Sequence, residues 1–461
     1  MDFKNIVYGN KETIIKTFQE LLQIRSVLDE ETSTPEMPFG KGINDALEYM
    51  LNLAKKDGFN VDRDGGYAGE ISYGGEGKIV GVLCHLDVVP EGKNWTYPPY
   101  EARIVDGKIY ARGTGDDKGP TIASYYALKF IKDAGIKLKN KVKIILGTDE
   151  ETGWRGISHY LTKFPMPDTG FAPDCSFPLV YGEKGRMALD LELTNRNSCS
   201  VSTDALISIK GGERYNVVID EAEAVSKLDL TKEFMAYLNE HNLEGDIIQE
   251  GSLYKYILKG VSAHAMEPEK GINAGTHLCY FFKDYTSNEL VKYVAKYHHL
   301  DHHLEKANFF YDDYEMGKVT CNIGIIDINP ESTRVTLDIR YPERYDQVNF
   351  ERNYPLLASK HNICVKAFTH KKPHYVSPED DLVKLLYEAY VKHTNDTVNK
   401  PFTVGGGTYA SILNKAVAYG MLFPGEEELA HQKDEYISIE SLLKGILIYI
   451  DAILALGEID A

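Results

Sequence analysis

The sequence lacks the features that mark a secreted, membrane-bound or nucleic-acid-binding protein. Its six cysteines include no CxxC pair, a usage typical of a reducing cytosol rather than of a disulfide framework. The formal net charge of −18 disfavours binding to phosphate backbones and to anionic lipid surfaces. The N-terminal residues 1–5 lack the apolar region that a signal peptide carries. We therefore predict a cytoplasmic protein with no membrane and no nucleic-acid partner.

Long apolar runs are also missing. The most apolar stretch, residues 442–456, contains Lys444 and Asp451 and is shorter than the roughly 20 apolar residues of a membrane span. It predicts a buried C-terminal helix with Ser438 as its N-cap. At 461 residues, with 43% apolar and 26% charged residues, the chain is of ordinary globular composition but exceeds what one hydrophobic core usually supports.

The first part of the chain alternates strand-like and helical patterns. Continuous apolar runs at residues 79–84 and 142–146 predict strands that are buried on both faces. Helical spacing of apolar residues predicts helices over residues 11–27, 42–58 and 121–134. The order strand, helix, strand predicts an α/β sheet, in which ligands bind at the carboxyl ends of the strands.

The pattern changes after residue 185. Alternating apolar and polar residues predict strands at 187–193, 205–209, 254–258 and 334–339, joined by helical stretches. Helical and buried-strand patterns return from about residue 378. We therefore predict a first domain in two parts, residues 1–184 and 378–461, with an α+β domain of residues 185–377 inserted between them.

Polar side chains follow both buried strands. His85 and Asp87 stand two residues apart on an extended segment, so their side chains point the same way. Either His85 is a metal ligand whose second ring nitrogen is held by Asp87, or the pair is a polar strand end. Glu150 and Glu151 end the second strand, where adjacent carboxylates repel unless a cation or a proton separates them. A metal ion on one and a water molecule on the other would supply a general base; a solvated surface pair is the alternative.

Further candidate ligands lie elsewhere in the chain. Asp116 and Asp117 follow a glycine-rich turn and head a helix, where an acidic first turn that complements the helix dipole is the alternative to metal binding. Asp174 and His431 add a carboxylate and an imidazole, although each alone would most often be a loop residue. Together these ligands, without thiolates, suit Zn²⁺, Mn²⁺ or Co²⁺. The histidine-rich segment 297–303 could bind metal at helical i, i+3 and i+4 spacing. It lies in the inserted domain and has no partner strand-end carboxylates, so we predict a polar helix face instead.

Seven short motifs are distributed along almost the whole chain. They are Pro38-Phe39-Gly40, His85 to Pro90, Ala111 to Pro120, Gly147 to Trp154, Tyr181 to Gly185, Ala263-His264-Ala265, and Phe423-Pro424-Gly425 ahead of His431. In this order they resemble the superfamily of two-metal aminoacylases, carnosinases and glutamate carboxypeptidases, most closely its bacterial dipeptidase V branch. The resemblance implies a zinc-peptidase-like mixed sheet flanked by helices as the catalytic domain, with the inserted α+β domain as a lid.

The resemblance also implies two divalent cations, with Zn²⁺ as the first choice and Mn²⁺ or Co²⁺ as alternatives. The ligands it implies are a bridging Asp116, with His85 and Asp174 on one cation and Glu151 and His431 on the other. Asp87 would orient His85. Glu150 would be the general base, taking a proton from a metal-bridging water and passing it to the leaving amine.

Substrate contacts are implied for both domains. His264 matches a histidine that helps stabilise the tetrahedral oxyanion, while Asn216 and Arg340 match positions that hold substrate, with Arg340 clamping the free carboxylate. Backbone N–H groups in the segment Gly405, Gly406, Gly407 and Thr408 would approach that carboxylate. Without the resemblance, these residues would be a loop histidine, a turn asparagine, a strand-end ion pair and a flexible turn. Ser411 stands where the branch is expected to carry arginine, which predicts a lost substrate contact and altered specificity.

The implied activity is metal-dependent hydrolysis of dipeptides or very short peptides. An N-acyl-amino-acid deacylase shares this chemistry, and the sequence does not separate the two. A non-catalytic peptide-binding homologue would need a broken ligand or a missing base, and the sequence shows neither. The inserted unit of about 190 residues is a domain in itself, which favours a monomer in which His264 reaches its own active site. Smaller relatives borrow that histidine from a partner subunit, so a dimer is the alternative.

Overall fold

The computed structural model describes residues 1–194 and 204–459, so Cys199 lies outside the described residues. The chain divides into two compact units. The first unit comprises Met1–Gly182, Tyr375–Phe402 and Gly407–Ala461. The second unit comprises Glu183–His374 and Thr403–Gly406.

Helices are distributed over both units. Within the described residues they are α1 (Phe3–Gly9), α2 (Lys11–Leu22), α3 (Lys41–Lys56), α4 (Lys118–Asp133), α5 (Arg155–Tyr160), α6 (Thr231–His241), α7 (Ala274–Phe282), α8 (Glu289–Tyr297), α9 (Gln347–Ser359), α10 (Asp381–Thr394) and α11 (Ile439–Glu458). None of these helices combines the length and the apolarity that crossing a bilayer requires.

The strands fall mainly into two large sheets. In chain order they are β1 (Asn60–Asp64), β2 (Ala68–Gly74), β3 (Ile79–His85), β4 (Arg103–Val105), β5 (Lys108–Tyr110), β6 (Lys141–Gly147), β7 (Thr169–Ala172), β8 (Cys175–Ser176), β9 (Val180–Glu183), β10 (Gly185–Leu193), β11 (Leu206–Gly211), β12 (Glu221–Ser226), β13 (Glu244–Glu250), β14 (Leu253–Lys259), β15 (Asp312–Asp313), β16 (Gly317–Lys318), β17 (Thr320–Ile328), β18 (Thr333–Tyr341), β19 (Ile363–Lys371), β20 (His374–Tyr375), β21 (Phe402–Val404), β22 (Ala416–Ala418), β23 (Met421–Leu422) and β24 (Tyr436–Ser438).

The first unit is built on a mixed sheet with the strand order β1-β2-β6-β3-β7-β22-β9-β20, in which β21 also pairs with β9. Its centre is parallel: β3 pairs in parallel with β6 and β7, and β22 pairs in parallel with β7. The register places His85 opposite Gly147, so β3 and β6 end at the same level. The loops that follow these strands therefore start from one edge of the sheet.

Apolar helices cover this sheet. Ile122, Leu128 and Ile131 of α4 lie in the same hydrophobic core as Val80 and Val82 of β3. The C-terminal helix α11 packs against α4, and as predicted it is capped by Ser438, whose hydroxyl accepts a hydrogen bond from the Ser441 N–H at 2.9 Å. The ends of β3 and β6 are thus held by a packed core.

The second unit contains an antiparallel sheet with the order β13-β14-β12-β11-β17-β18-β10-β19. Alternation along β10 buries Met187, Leu189 and Leu191, which share one core with Leu278 of α7 and Val294 of α8. A mixed sheet with helices and a separate antiparallel sheet with its own helices confirm the predicted fold class.

The predicted polar helix face at residues 297–303 is wrong. Helix α8 ends at Tyr297, and in the turn that follows His298 and His299 are only 5% and 3% exposed. His298 Nε2 lies 2.8 Å from the Tyr354 hydroxyl, and the His299 ring stacks on Tyr280. Burial lowers the pKa of His298 to about 4 and that of His299 to about 2. These residues are neutral rings of the core, because a charged imidazole would lose its hydration there.

Candidate metal centre

Candidate ligands of the first unit come together at the carboxyl edge of the parallel strands. His85 is the last residue of β3, Glu151 lies in the loop after β6, and Asp174 lies just after β7. Asp116 belongs to the turn before α4, and the Asp116–Asp117 peptide bond is cis. His431 belongs to the loop between β23 and β24. Parallel strands that end at one level explain why residues distant in sequence meet here.

Asp116 lies between the two histidines. Its Oδ1 is 3.0 Å from His85 Nε2, and its Oδ2 is 3.0 Å from His431 Nε2. His85 Nε2 is also 3.7 Å from Asp174 Oδ2, and His431 Nε2 is 3.0 Å from Glu151 Oε2. The described residues therefore contain two potential metal-binding groups that share Asp116, one with His85 and Asp174 and one with Glu151 and His431.

The orientation of His85 fits a metal ligand. Its Nδ1 donates a hydrogen bond to the Asp87 carbonyl oxygen at 2.9 Å, which leaves the Nε2 lone pair facing the carboxylates. Among the described residues, the buried atoms His85 Nε2 and Glu151 Oε1 have no hydrogen-bond partner. Ligand atoms around a tetrahedral Zn²⁺ lie about 3.3 Å apart at the usual Zn–N and Zn–O distances. The separations observed here bracket that value, so this donor set fits divalent cations.

The charges of the site point to the same conclusion. Burial raises the pKa of Glu151 to about 7 and that of Asp174 to about 6, and the negative charge of Asp116 adds to both shifts. Contacts with Asp116 and Glu151 raise the pKa of His431 to about 11. The crowded carboxylates therefore favour positive charge between them, which divalent cations bound to the same atoms would supply.

Asp87 connects His85 to the two glutamates. Its carboxylate accepts hydrogen bonds from the backbone N–H groups of Glu150 at 3.1 Å and Glu151 at 3.0 Å. The same carboxylate lies 3.6 Å from His85 Nδ1, farther than the Asp87 carbonyl oxygen that accepts its hydrogen bond. Asp87 therefore contacts the ring of one candidate ligand and fixes the backbone of the Glu150–Glu151 pair. Burial raises the pKa of Glu150 well above its usual range, with the charge of Asp174 adding to the shift.

The second unit contains three of the predicted substrate residues, Asn216, His264 and Arg340. Val217, next to Asn216, forms a β-bridge with His264, and the Ala265 N–H donates to the Asn216 carbonyl oxygen at 3.0 Å. Arg340 lies on β18, where its Nη1 donates to the Gly405 carbonyl oxygen at 3.1 Å. His264 is exposed, whereas Arg340 is buried. The backbone segments of Asn216 and His264 are thus neighbours, and Arg340 lies on a strand of the same unit.

The predicted glycine-rich segment is open on one side. A Cβ atom on Gly406, which belongs to the second unit, would meet nothing within 4 Å. Gly407 and Thr408 belong to the first unit, where the Thr408 hydroxyl accepts a hydrogen bond from the Ala410 N–H at 3.2 Å. Ser411 donates from its hydroxyl to the Thr408 carbonyl oxygen at 2.8 Å. Ser411, which stands where an arginine is expected, therefore forms a hydrogen bond within its own turn.

A buried glutamate that the sequence analysis did not identify, Glu435, holds the turn that carries Asp116. Its Oε1 accepts hydrogen bonds from the N–H groups of Gly115 at 2.8 Å and Asp116 at 3.3 Å. Its Oε2 accepts from the Gly113 N–H at 3.0 Å and from Arg112 Nη1 at 2.8 Å. The only sequence signal is an acidic residue four positions after His431. Glu435, four residues after the candidate ligand His431, therefore holds the backbone turn that carries Asp116, the ligand that both groups share.

We expect Glu435→Gln to weaken cation binding by about 10- to 100-fold, as is usual when a group that supports a metal ligand is removed. The N–H groups of the glutamine side chain would face the backbone N–H groups that the glutamate now accepts from. Two donors form no hydrogen bond, so the turn that carries Asp116 would shift. Competition with a chromophoric chelator measures the affinity directly.

Glu70→Gln is the matched control. Glu70 is also buried and ion-paired, with Lys143 at 2.7 Å, but it belongs to neither ligand group. This variant is expected to lower the melting temperature and to keep the wild-type cation affinity. Equal losses of affinity in the two variants would show that Glu435 acts only through general stability.

Comparisons with known proteins place the chain among peptidases. Residues 81–455 match the description of peptidase family M20/M25/M40. "Putative dipeptidase YtjP" of Bacillus subtilis is 38% identical over 467 residues, which cover 99% of this chain and 100% of the relative. Human carnosine dipeptidase 1 has a similar structure, with a TM-score of 0.58, 15% identity and 98% of both chains covered. The Bacillus subtilis YXEP protein, described as a dinuclear metal binding peptidase, gives a TM-score of 0.50 at 10% identity, covering 98% of this chain and 99% of that chain.

Proposed function

The chain belongs to peptidase family M20/M25/M40, and from this premise we propose that it is a two-cation metallopeptidase that hydrolyses dipeptides or very short peptides. The observation that carries the proposal is the position of Asp116, with one carboxylate oxygen 3.0 Å from each of two histidines. A dipeptide substrate is supported by the name of the relative that matches this chain over nearly its full length.

Two divalent cations are assigned to the two ligand groups. The ligands in this proposal are Asp116 for both, His85 and Asp174 for the first, and Glu151 and His431 for the second. Zn²⁺ suits these nitrogen and oxygen donors best, and Mn²⁺ and Co²⁺ also suit them. When bound, such cations lower the pKa of water and polarise a carbonyl group.

Glu150 is assigned the role of general base. It accepts a proton from the attacking water and returns it to the nitrogen of the leaving amine when the peptide C–N bond breaks. Asp87 acts as a positioning residue, because it binds the Glu150 and Glu151 N–H groups and its carbonyl holds the His85 ring. Asp87 thus positions both Glu150, the proposed base, and Glu151, the adjacent proposed ligand.

The second unit supplies groups for the substrate. His264 donates a hydrogen bond to the oxyanion that forms at the attacked carbonyl carbon, and Asn216 holds the substrate nearby. Arg340 binds the free carboxylate of the peptide, and backbone N–H groups of Gly406, Gly407 and Thr408 approach the same carboxylate. The support for these roles is the cluster of Asn216 and His264 around one β-bridge and the open space beside Gly406.

A substrate screen joined to metal analysis tests the proposal. Purified protein is analysed for bound metal and then incubated with a panel of dipeptides and N-acyl amino acids. Turnover of dipeptides that is lost in Glu150→Ala supports the dipeptidase. Turnover of acyl amino acids alone would identify a deacylase, and tight dipeptide binding without cleavage would identify a binding protein.

We propose that a monomer in the cytosol is the active form. Within the described residues the structure contains no disulfide bond, which agrees with a reducing compartment. If each chain uses its own His264, mixing inactive His264→Ala with inactive Glu150→Ala protein will give no activity beyond the sum of the two. Recovery of activity on mixing would show instead that His264 acts across a dimer.

A further inference from the structure

We infer that Arg186 is a second guanidinium group, beside Arg340, in a subsite that binds a substrate carboxylate. The inference rests on the proposed function for the identity of the substrate. Arg186 belongs to none of the seven sequence motifs, and the ligand assigned to it is a carboxylate. The observations that carry it are strand register, an arginine pair that shares one acid, and a guanidinium nitrogen with no hydrogen-bond partner in the described part of the chain.

Register places the two arginines side by side. Arg186 on β10 is directly opposite Arg340 on β18, so their side chains leave the sheet on the same face. On the other side of Arg186, Lys371 of β19 is directly opposite, which makes a row of three cations across three strands. Like charges at directly opposed positions repel, so such a row requires a compensating anion.

Asp338 compensates only part of this charge. Its side chain is fully buried, with Oδ2 3.0 Å from Arg186 Nε and Oδ1 2.5 Å from Arg340 Nε. Two guanidinium groups therefore share one carboxylate. Lys371 Nζ lies 4.0 Å from Glu183 Oε2, so it has an acidic neighbour of its own. The arginine pair keeps one positive charge in excess, which matches one further carboxylate.

The unused hydrogen-bonding capacity lies on Arg186. Its Nη2 is buried and has no hydrogen-bond partner among the described residues. A buried donor of this kind is rare in native proteins and is usually satisfied by water or by a ligand. The guanidinium carbon lies 4.4 Å from the centre of the Tyr215 ring, which is adjacent in sequence to Asn216, one of the proposed substrate residues. Arg186 is thus fixed in the part of the second unit that the proposal assigns to substrate.

A planar group with two oxygens is the ligand that two neighbouring guanidinium groups bind best. In a short peptide this carboxylate is either the C-terminal α-carboxylate or the side chain of aspartate or glutamate. Arg186 would then determine specificity, because peptides that lack the carboxylate would leave a charged nitrogen buried and unsatisfied.

Steady-state kinetics of the Zn²⁺-loaded full-length protein test the inference. The substrates are Ala-Ala, Ala-Ala-amide, Ala-Glu and Ala-Gln, and the variants are Arg186→Met and Arg186→Lys. For a substrate whose carboxylate binds Arg186, the methionine variant should raise KM by about 10- to 100-fold with little change in kcat, since a charge-assisted hydrogen bond is lost. The lysine variant keeps a cation beside Asp338, so it should fold and show a smaller rise.

The paired substrates separate the two sources of the carboxylate. A rise in KM for Ala-Ala but not for its amide identifies the α-carboxylate, and a rise for Ala-Glu that exceeds the rise for Ala-Gln identifies the side chain. Arg334→Met is the matched control, because Arg334 lies on β18, the strand of Arg340, but is exposed and opposite Glu192 of β10. Unchanged KM values for all four substrates, or rises that are equal within both pairs of substrates, would overturn the inference.

Calorimetric binding of Ala-Ala in a Glu150→Gln background separates this inference from the proposed function. Arg186→Met in that background should weaken binding by a similar factor even though no cleavage occurs. If the protein with Glu150 intact hydrolyses no dipeptide but Arg186→Met still weakens binding, the peptidase is refuted and the subsite is kept. Normal dipeptide hydrolysis with unchanged binding in Arg186→Met would refute the subsite and keep the peptidase.

Discussion

Glu150→Gln is expected to lower the kcat of the metal-loaded protein on its best dipeptide by about 100- to 10,000-fold, the usual contribution of a general base. The glutamine side chain keeps the size of the glutamate but does not accept the proton of the attacking water. The bound cations should remain, because Glu150 belongs to neither ligand group and its contact with Asp87 is made by the backbone. Kinetics and elemental analysis of the same preparation measure both effects.

The control for this variant is Glu379→Gln. Glu379 is strongly exposed, with 83% of its side chain accessible, and it forms an ion pair with Lys384 at 3.0 Å on the surface. This substitution should leave kcat and metal content unchanged. A Glu150→Gln protein that keeps most of its kcat would refute the base assignment. A variant that loses its cations would instead make Glu150 a ligand.

Asp116→Asn should have the largest effect on metal content, because Asp116 is the residue that the two ligand groups share. Asparagine retains one oxygen and loses the negative charge, so both cations lose a ligand at once. We expect cation affinity to fall by more than about 100-fold, beyond the effect of removing a group that only supports a ligand. Activity should fall with it.

Metal stoichiometry after dialysis against micromolar Zn²⁺ tests this expectation. Asp174→Asn and His431→Ala, which each belong to one group, should lower the stoichiometry less than Asp116→Asn does. Asp57→Asn is the control, because Asp57 lies at the end of α3, accepts a hydrogen bond from Tyr125 and belongs to neither ligand group. Loss of only one cation in Asp116→Asn would show that Asp116 does not bridge.

The sequence predicted the parts of the fold that depend on local pattern. Continuous apolar runs gave β3 and β6 within one residue of their ends, since a strand buried on both faces needs apolar residues throughout. His85 and Glu151 stand at these strand ends in the sequence. They were identified as candidate ligands because α/β sheets bind ligands at the carboxyl ends of their strands. The structure brings the five candidate ligands together, and their roles stay a prediction.

Contacts that depend on tertiary packing were not predictable. Glu435 was missed because its partners, the N–H groups of the turn at Gly113 to Asp116, are distant in sequence and carry no side-chain signal. His298 and His299 were assigned to a polar face because no strand-end carboxylates accompany them, whereas burial makes their rings part of the core. Residue spacing alone likewise did not predict that the Asp87 carboxylate accepts hydrogen bonds from the backbone N–H groups of Glu150 and Glu151.

The strand order of the central sheet has a consequence for synthesis on the ribosome. Strand β22 lies between β7 and β9, although it is translated long after both. Until it emerges, the nascent chain has a gap in its main sheet and an open strand edge. His431 emerges later still, so a prematurely terminated polypeptide lacks one of the proposed ligands. Hydrolytic competence would then arise only after both β22 and His431 have been translated.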